Sequence, residues 1–229
     1  MAVLQTGLHE SDNSSMQQGL LPLFPLQVVL FPGAELPLHI FEDRYREMIG
    51  EVLKDRLEFG VVLANEKGIV GTGCTATIDR VLKEYSDGRL DIMTRGRRRF
   101  EILLLNEERS FLRGSVDFFD DDEKTEAPCP EFQKRAIEGY NELQALSANQ
   151  PLDPEGIRDP QLSFRLAQPV PDLGFRQTLL AIRSEAERLR QLADFLPGYV
   201  IRQRRIQQVK EVAPRNGHGR SLGGPDSIE

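Results

Sequence analysis

Residues 21–49 read LPLFPLQVVLFPGAELPLHIFEDRYREMI, a strand, a turn and an amphipathic helix in succession. Proline cannot donate to a sheet ladder, so Pro22 and Pro25 predict an edge strand that enters its sheet only over residues 27–31. Pro32-Gly33 then stops it. From there Phe41, Tyr45, Met48, Ile49 and Val52 fall on one face of a helix, while Glu42, Asp43, Arg46, Glu47 and Glu51 take the other. The spacing predicts a helix packed on a sheet, with Phe41 and Met48 in the contact.

Downstream, the valine-rich run 59–63 is a buried strand ended by Asn65-Glu66-Lys67-Gly68. From Cys74 the residues alternate, with Cys74, Ala76 and Ile78 on one side and Thr75, Thr77 and Asp79 on the other. Ser86-Asp87-Gly88-Arg89 closes a hairpin, and Asp-Gly suits the positive φ values of a type I′ turn. Its return strand is 90–94. Two more strands, 100–105 and 111–119, follow an arginine-rich turn. Closing such strands into a barrel would remove exposed edges.

The run DDDEKTEAPCP at 120–130 is the clearest boundary, and beyond it the period becomes helical. Phe132, Ala136, Ile137, Tyr140 and Leu143 form one stripe. Residues 162–167 make a short helix, Asp172 caps the next, and Ser184 with Glu187 is a capping box for a third. Pro197-Gly198 is expected to break or kink that third helix. The predicted organisation is a disordered leader at 1–19, with Met16 as an alternative start, and a β-barrel with one helix at 20–119. An acidic linker at 120–130, a helical subdomain at 131–212 and a disordered tail at 213–229 follow.

The chain has 229 residues and 39% hydrophobic composition, enough for a substantial core. Its apolar runs are interrupted well before the ~20 residues a membrane span needs. The amino terminus lacks a basic segment followed by an apolar one, as a secretory signal requires. Cys74 and Cys129, the two cysteines, sit in unlike settings and suit a reducing cytoplasm. A net charge of −7 argues against general nucleic-acid binding.

The succession FPL, LFPG, LPLHIFEDRYREMI resembles the opening of the amino-terminal substrate-binding domain of Lon proteases, a family that also includes free-standing proteins of about this length. The resemblance continues through Gly73, Ala76, Ile78, Asp87-Gly88, Gly96, Arg99, Phe100, Ile102 and the segment LSFRLAQPVPDLGFRQTLLAIRSEAERLRQL at 162–192. It implies an α+β fold, a PUA-like barrel followed by helices. It also implies the binding of polypeptides, unfolded or tagged, rather than their cleavage, with a separate protease or chaperone as a further partner.

The residues themselves predict no catalytic, cofactor or metal site. The chain has no G-x-x-x-x-G-K-[ST] loop to cradle phosphates and nothing like a serine-lysine peptidase signature. His9 and His218 lie in the predicted tails, so they cannot share a rigid element as metal ligands. His39 reads as a structural residue bonded to backbone or to Glu42. Cys74 reads as a core residue and Cys129 as an exposed thiol without a base nearby. Arg44-Tyr45 belongs to the packed helix.

Two features suit binding. The strand before Phe31-Pro32 can offer an edge to an extended peptide. Arg95, Arg97 and Arg98, on an expected exposed turn, can meet phosphate or acidic side chains. Arg99 is instead expected to be a structural ion-pair partner. An alternative function, RNA binding through the cluster at 95–99, follows from PUA-like barrels elsewhere; acidity and a shortage of aromatics weigh against it.

Overall fold

The computed structural model describes residues 19–122, 127–147, 149–153 and 159–212; the predicted leader and tail lie outside them, save Gly19. Along the chain come β1 (Leu21–Leu26), β2 (Glu35–Ile40), α1 (Asp43–Asp55), β3 (Phe59–Asn65), β4 (Gly68–Glu84), β5 (Leu90–Asn106) and β6 (Arg113–Phe119). Then follow α2 (Pro130–Ala145), α3 (Leu162–Ala167), α4 (Leu173–Ala181) and α5 (Glu185–Val212). The fold is α+β, with one mixed sheet in the order β2-β5-β4-β3-β1-β6 and a further pairing of β5 with β6. That pairing makes a closed circuit of β5, β4, β3, β1 and β6, with β2 beside the first half of β5.

The first strand differs from expectation. Residues 21–26, and not 27–31, enter the sheet, and β1 is interior: parallel to β3 and antiparallel to β6. Both prolines fall where the ladder asks for no donor. Leu23 donates its amide to Leu112 on the β6 side, 2.8 Å away. By alternation Pro25 faces that side too, beyond the last β1–β6 pair at Pro22 and Arg113. Pro22 faces β3 one residue ahead of the first β1–β3 pair, Leu23 with Gly60.

Helix α1 starts later than predicted, at Asp43, so Phe41 is outside it and 59% exposed. The buried face is Tyr45, Met48, Ile49 and Val52, with the Tyr45 ring 4.1 Å from that of Phe24 on β1. The β4–β5 hairpin also departs from a type I′ turn. Gly88 donates to Tyr85 and Tyr85 to Arg89, and of the turn residues only Gly88 has positive φ, +83°. This is a three-residue loop of a type I turn followed by a left-handed glycine.

By contacts the chain divides into two compact units, Met1–Ala127 with Asp159–Arg188, and Pro128–Arg158 with Leu189–Glu229. The helical residues 131–212 therefore do not form one piece: α3 and α4 belong with the sheet. In the first unit α4 is capped by Asp172, whose side chain accepts from the Phe175 amide at 2.9 Å. Arg176 donates to the Val29 carbonyl at 2.6 Å and Gln177 to that of Thr72 at 2.9 Å, so α4 is held by backbone on two loops or strands. In the second unit α2 lies along α5. Gly139 makes their approach possible, since a Cβ there would stand 2.7 Å from Leu196 Cβ. Helix α5 runs through Pro197 without a break.

Candidate binding surface

The residues expected to form a binding surface are scattered. Phe31 is fully buried, its ring stacked 5.1 Å from Phe164 on α3 with the Arg176 guanidinium 5.1 Å from its centre. The loop 27–31 thus serves the core and offers no strand edge. Pro32 is buried too, although it lines a shallow cleft of about 290 Å³ with Gly33, Asp159, Gln161, Arg165 and Gln168.

The arginine cluster is strand and not turn, because β5 runs unbroken from Leu90 to Asn106. Arg95 is ion-paired with Asp79 at 2.8 Å and Glu35 at 2.7 Å and donates to the Gly33 carbonyl at 3.2 Å. The hydrogen bond and charge of Asp79, then those of Glu35, hold its pKa above the usual arginine value. Arg98 pairs with Glu58 at 3.0 Å and lies 3.9 Å over the Phe118 ring. Arg97 is exposed and, among the described residues, without an ion pair. At Gly96 the chain is crossed so closely that a Cβ would stand 2.1 Å from the Phe31 carbonyl oxygen.

Arg99 is buried and ion-paired, as expected, but within a network whose other members sequence reasoning missed. It meets Asp121 at 2.6 Å and the Ile182 carbonyl at 2.7 Å. Arg188, fully buried on α5, meets both Asp121 oxygens at 2.6 Å, Glu185 at 2.7 Å, Ser163 Oγ at 2.8 Å and the Ile182 carbonyl at 2.8 Å. Glu185 in turn accepts from the Ser163 amide and hydroxyl. Burial opposes ionisation of Asp121, but hydrogen bonds and charge from Arg188 and Arg99 together hold its carboxyl below the usual range. At Glu185 burial prevails and the pKa is raised. Asp121, which falls in the run read as an acidic linker, is thus a fastening inside the first unit. Two guanidinium groups thus face two carboxyl groups in one buried cluster.

An exposed apolar run lies elsewhere, on β5. Ile102 pairs with Val116 and Leu104 with Ser115, so Leu103 is an extra residue in a β-bulge. The bulge disturbs the alternation, and Leu103, Leu104 and Leu105 are 61%, 72% and 49% exposed. Three successive leucines in solvent are costly on a strand unless something covers them. Period-two alternation required at least one of them to face outward, which was the signal available in the sequence. The turn after β5 continues into a cleft of about 340 Å³ walled by Pro25, Tyr45, Ile69, Phe111, Leu112 and Arg44. Arg109, bonded to Glu47 and Glu51 of α1, holds that turn.

His39 sits in β2, and its Nδ1 contacts Asp91 Oδ1, not Glu42, at 2.5 Å; Tyr85 donates to the other oxygen at 2.8 Å. Burial pushes the Cys74 thiol up to about 12, far from a reactive thiolate. Cys129 is exposed. Among the described residues, no three His, Cys, Asp or Glu side chains converge for a metal, and no helix is long and apolar enough to cross a membrane.

The family model of the ATP-dependent protease La (LON) substrate-binding domain matches residues 20–197. Among curated relatives, the Lon protease of Parabacteroides distasonis is 34% identical over 110 residues, 44% of this chain and 13% of that protein. Lon protease 1 of Hydrogenovibrio crunogenus is 28% identical over 176 residues, 71% of this chain and 22% of that protein. The chain therefore spans less than a quarter of either relative. A crystal structure of a Lon N-terminal domain protein from Xanthomonas campestris superposes with TM-score 0.61 at 28% identity, covering 78% of this chain and 99% of that one. The N-terminal domain of the Mycobacterium avium complex Lon protease, 18% identical, shares the fold with TM-score 0.57, covering 78% and 98%.

Proposed function

The chain belongs to the Lon substrate-binding domain family, and from that premise we propose that it is a non-catalytic module that binds unfolded or tagged polypeptide through apolar surface. The observation that carries this reading is the run Leu103–Leu105, exposed on the stretch of β5, Arg99–Asn106, that pairs with β6. Unfolded chains offer apolar side chains with little else in common, and burial of apolar area is the non-directional attraction that recognises them. The cleft beside Tyr45 and Phe111 adds a recess for one larger side chain.

Delivery to a separate protease or chaperone in the cytoplasm is the role that family membership suggests for such a module. Two unpaired cysteines suit that compartment. The competing RNA reading is weakened by the carboxylates that neutralise Arg95 and Arg98. Of Arg95, Arg97 and Arg98, only Arg97 is without an ion pair among the described residues.

Fluorescence anisotropy with a labelled, reduced and carboxymethylated protein, and separately with single-stranded RNA, tests the proposal. The unfolded protein should bind with little salt dependence, and Leu103→Ser, Leu104→Ser, Leu105→Ser combined should weaken it about tenfold while the melting temperature barely moves. ATP hydrolysis and casein cleavage should be absent. Salt-sensitive RNA binding lost on Arg97→Glu, with no affinity for unfolded protein, would transfer the function to nucleic acid.

A further inference from the structure

The last turns of α5 present a face that the described residues of the second unit leave open. On one side Val200 is buried, Arg204 pairs with Glu142 at 3.0 Å and Gln207 donates to the Leu146 carbonyl at 3.0 Å, so this side is turned to α2. At 3.6 residues per turn, Ile201, Arg202, Arg205, Ile206 and Val209 lie within about 140° on the other side. The three aliphatic residues are 58%, 46% and 63% exposed. Neither Arg202 nor Arg205 is ion-paired among the described residues; Arg202 lies 5.7 Å from the Tyr199 ring centre.

We infer that this face is a docking surface for an acidic amphipathic helix of a partner protein, a function separate from polypeptide capture at Leu103–Leu105. Charge complementarity selects the occupant. The arginines stand between the aliphatic residues and not at their margins, so whatever buries Ile201 and Val209 must also supply carboxylates to Arg202 and Arg205. A second copy offering the same face would bring four guanidinium groups together without a carboxylate. A helix lying in a membrane surface keeps a continuous apolar face and carries its basic residues on the polar side. Here the two kinds are interleaved, as suits a protein helix whose glutamates alternate with leucines.

The probe is a labelled synthetic helical peptide with leucines and glutamates interleaved on one face, titrated by anisotropy against the full chain, with a lysine-for-glutamate peptide in parallel. The parent should bind the glutamate peptide and not the lysine peptide. Arg202→Glu with Arg205→Glu should weaken the first by about tenfold or more and create affinity for the second. Ile201→Ser with Val209→Ser should weaken both forms of recognition, and circular dichroism should report unchanged helix content in every variant. No binding of the glutamate peptide, or equal binding by the double-glutamate variant, overturns the assignment. So does parent binding to phosphatidylglycerol vesicles, or dimerisation in sedimentation, that the same substitutions abolish while the peptide stays unbound. Loss of unfolded-protein binding on changing Leu103–Leu105 leaves these readouts unaltered, so the two surfaces fail separately.

Discussion

Arg135 donates from Nη2 to the carbonyl oxygen of Ala193, 3.3 Å away, and Ala193 is the residue whose acceptor Pro197 leaves without an amide. A proline inside a helix forfeits the bond to the residue four before it, and an unmet carbonyl is a common reason for a helix to bend or stop. A side chain from α2 supplies the missing donor here, and α5 continues. Arg135→Met should therefore cost about 1 kcal/mol, the usual net worth of one hydrogen bond. The same change in a Pro197→Ala background should cost much less, because the amide of Ala at 197 takes over. Equal costs in both backgrounds, measured by urea unfolding, would separate Arg135 from the proline.

Gly96 is required by a close approach and not by its own backbone angles, since the Phe31 carbonyl occupies the place of a Cβ and Gly96 also exchanges backbone bonds with Gly33 and Ala34. Gly96→Ala must push β5 away from the 31–34 turn. The expected loss is about 1 to 3 kcal/mol, as for other overpacked sites. A melting temperature equal to that of the parent would show that the turn can withdraw freely.

Met48 and Phe41 separate two ways of placing the first helix. Met48 is wholly buried and Phe41 lies mostly in solvent, stacked on His39 at 5.8 Å. Met48→Ala should destabilise by about 2 to 5 kcal/mol and Phe41→Ala by well under 1. Comparable losses would return Phe41 to the core face.

Local chemistry was legible in the sequence and long-range pairing was not. The buried stripe of α1, the cap at Asp172, the glycine turn at Gly88 and the helical stripe of α2 each depend on neighbours a few residues away. The interior place of β1 depends on β3 and β6, and on the prolines falling outside the paired positions, which no local pattern specifies. Arg95 and Arg98 looked like surface charge because Glu35, Glu58 and Asp79 lie 16 to 60 residues away. Arg188 stood beside an apolar stripe with nothing in its neighbours to reveal Asp121, 67 residues earlier.

Arg188 is the charged member of that network with no exposure at all. Arg188→Met leaves Asp121 and Glu185 without their main cation, and breaking a buried pair from one side costs about 3 to 5 kcal/mol. Arg188→Lys should recover little, because one ammonium cannot reach both Asp121 oxygens, Ser163 and Glu185 at once. Full stability in the lysine variant would reduce the site to a simple charge requirement.

The same network sets a response to acid whose two carboxylates act in opposite directions. Asp121 has a folded pKa below its unfolded value, so it contributes stability that is complete above the usual carboxylate value of about 4 and is lost as pH falls through the lower, folded one. Glu185 has a raised folded pKa, so the fold takes up its proton first, and lowering the pH toward about 4 adds stability before Asp121 begins to remove it. Urea midpoints across pH 3 to 7 should accordingly fall less steeply below about pH 4 in Asp121→Asn than in the parent, from a lower starting value. In Glu185→Gln the midpoint should lose the portion that rises on mild acidification. An Asp121→Asn profile parallel to that of the parent would mean that the exposed carboxylates of Glu47, Asp87 and Asp91, also held low by their partners, carry the whole acid response.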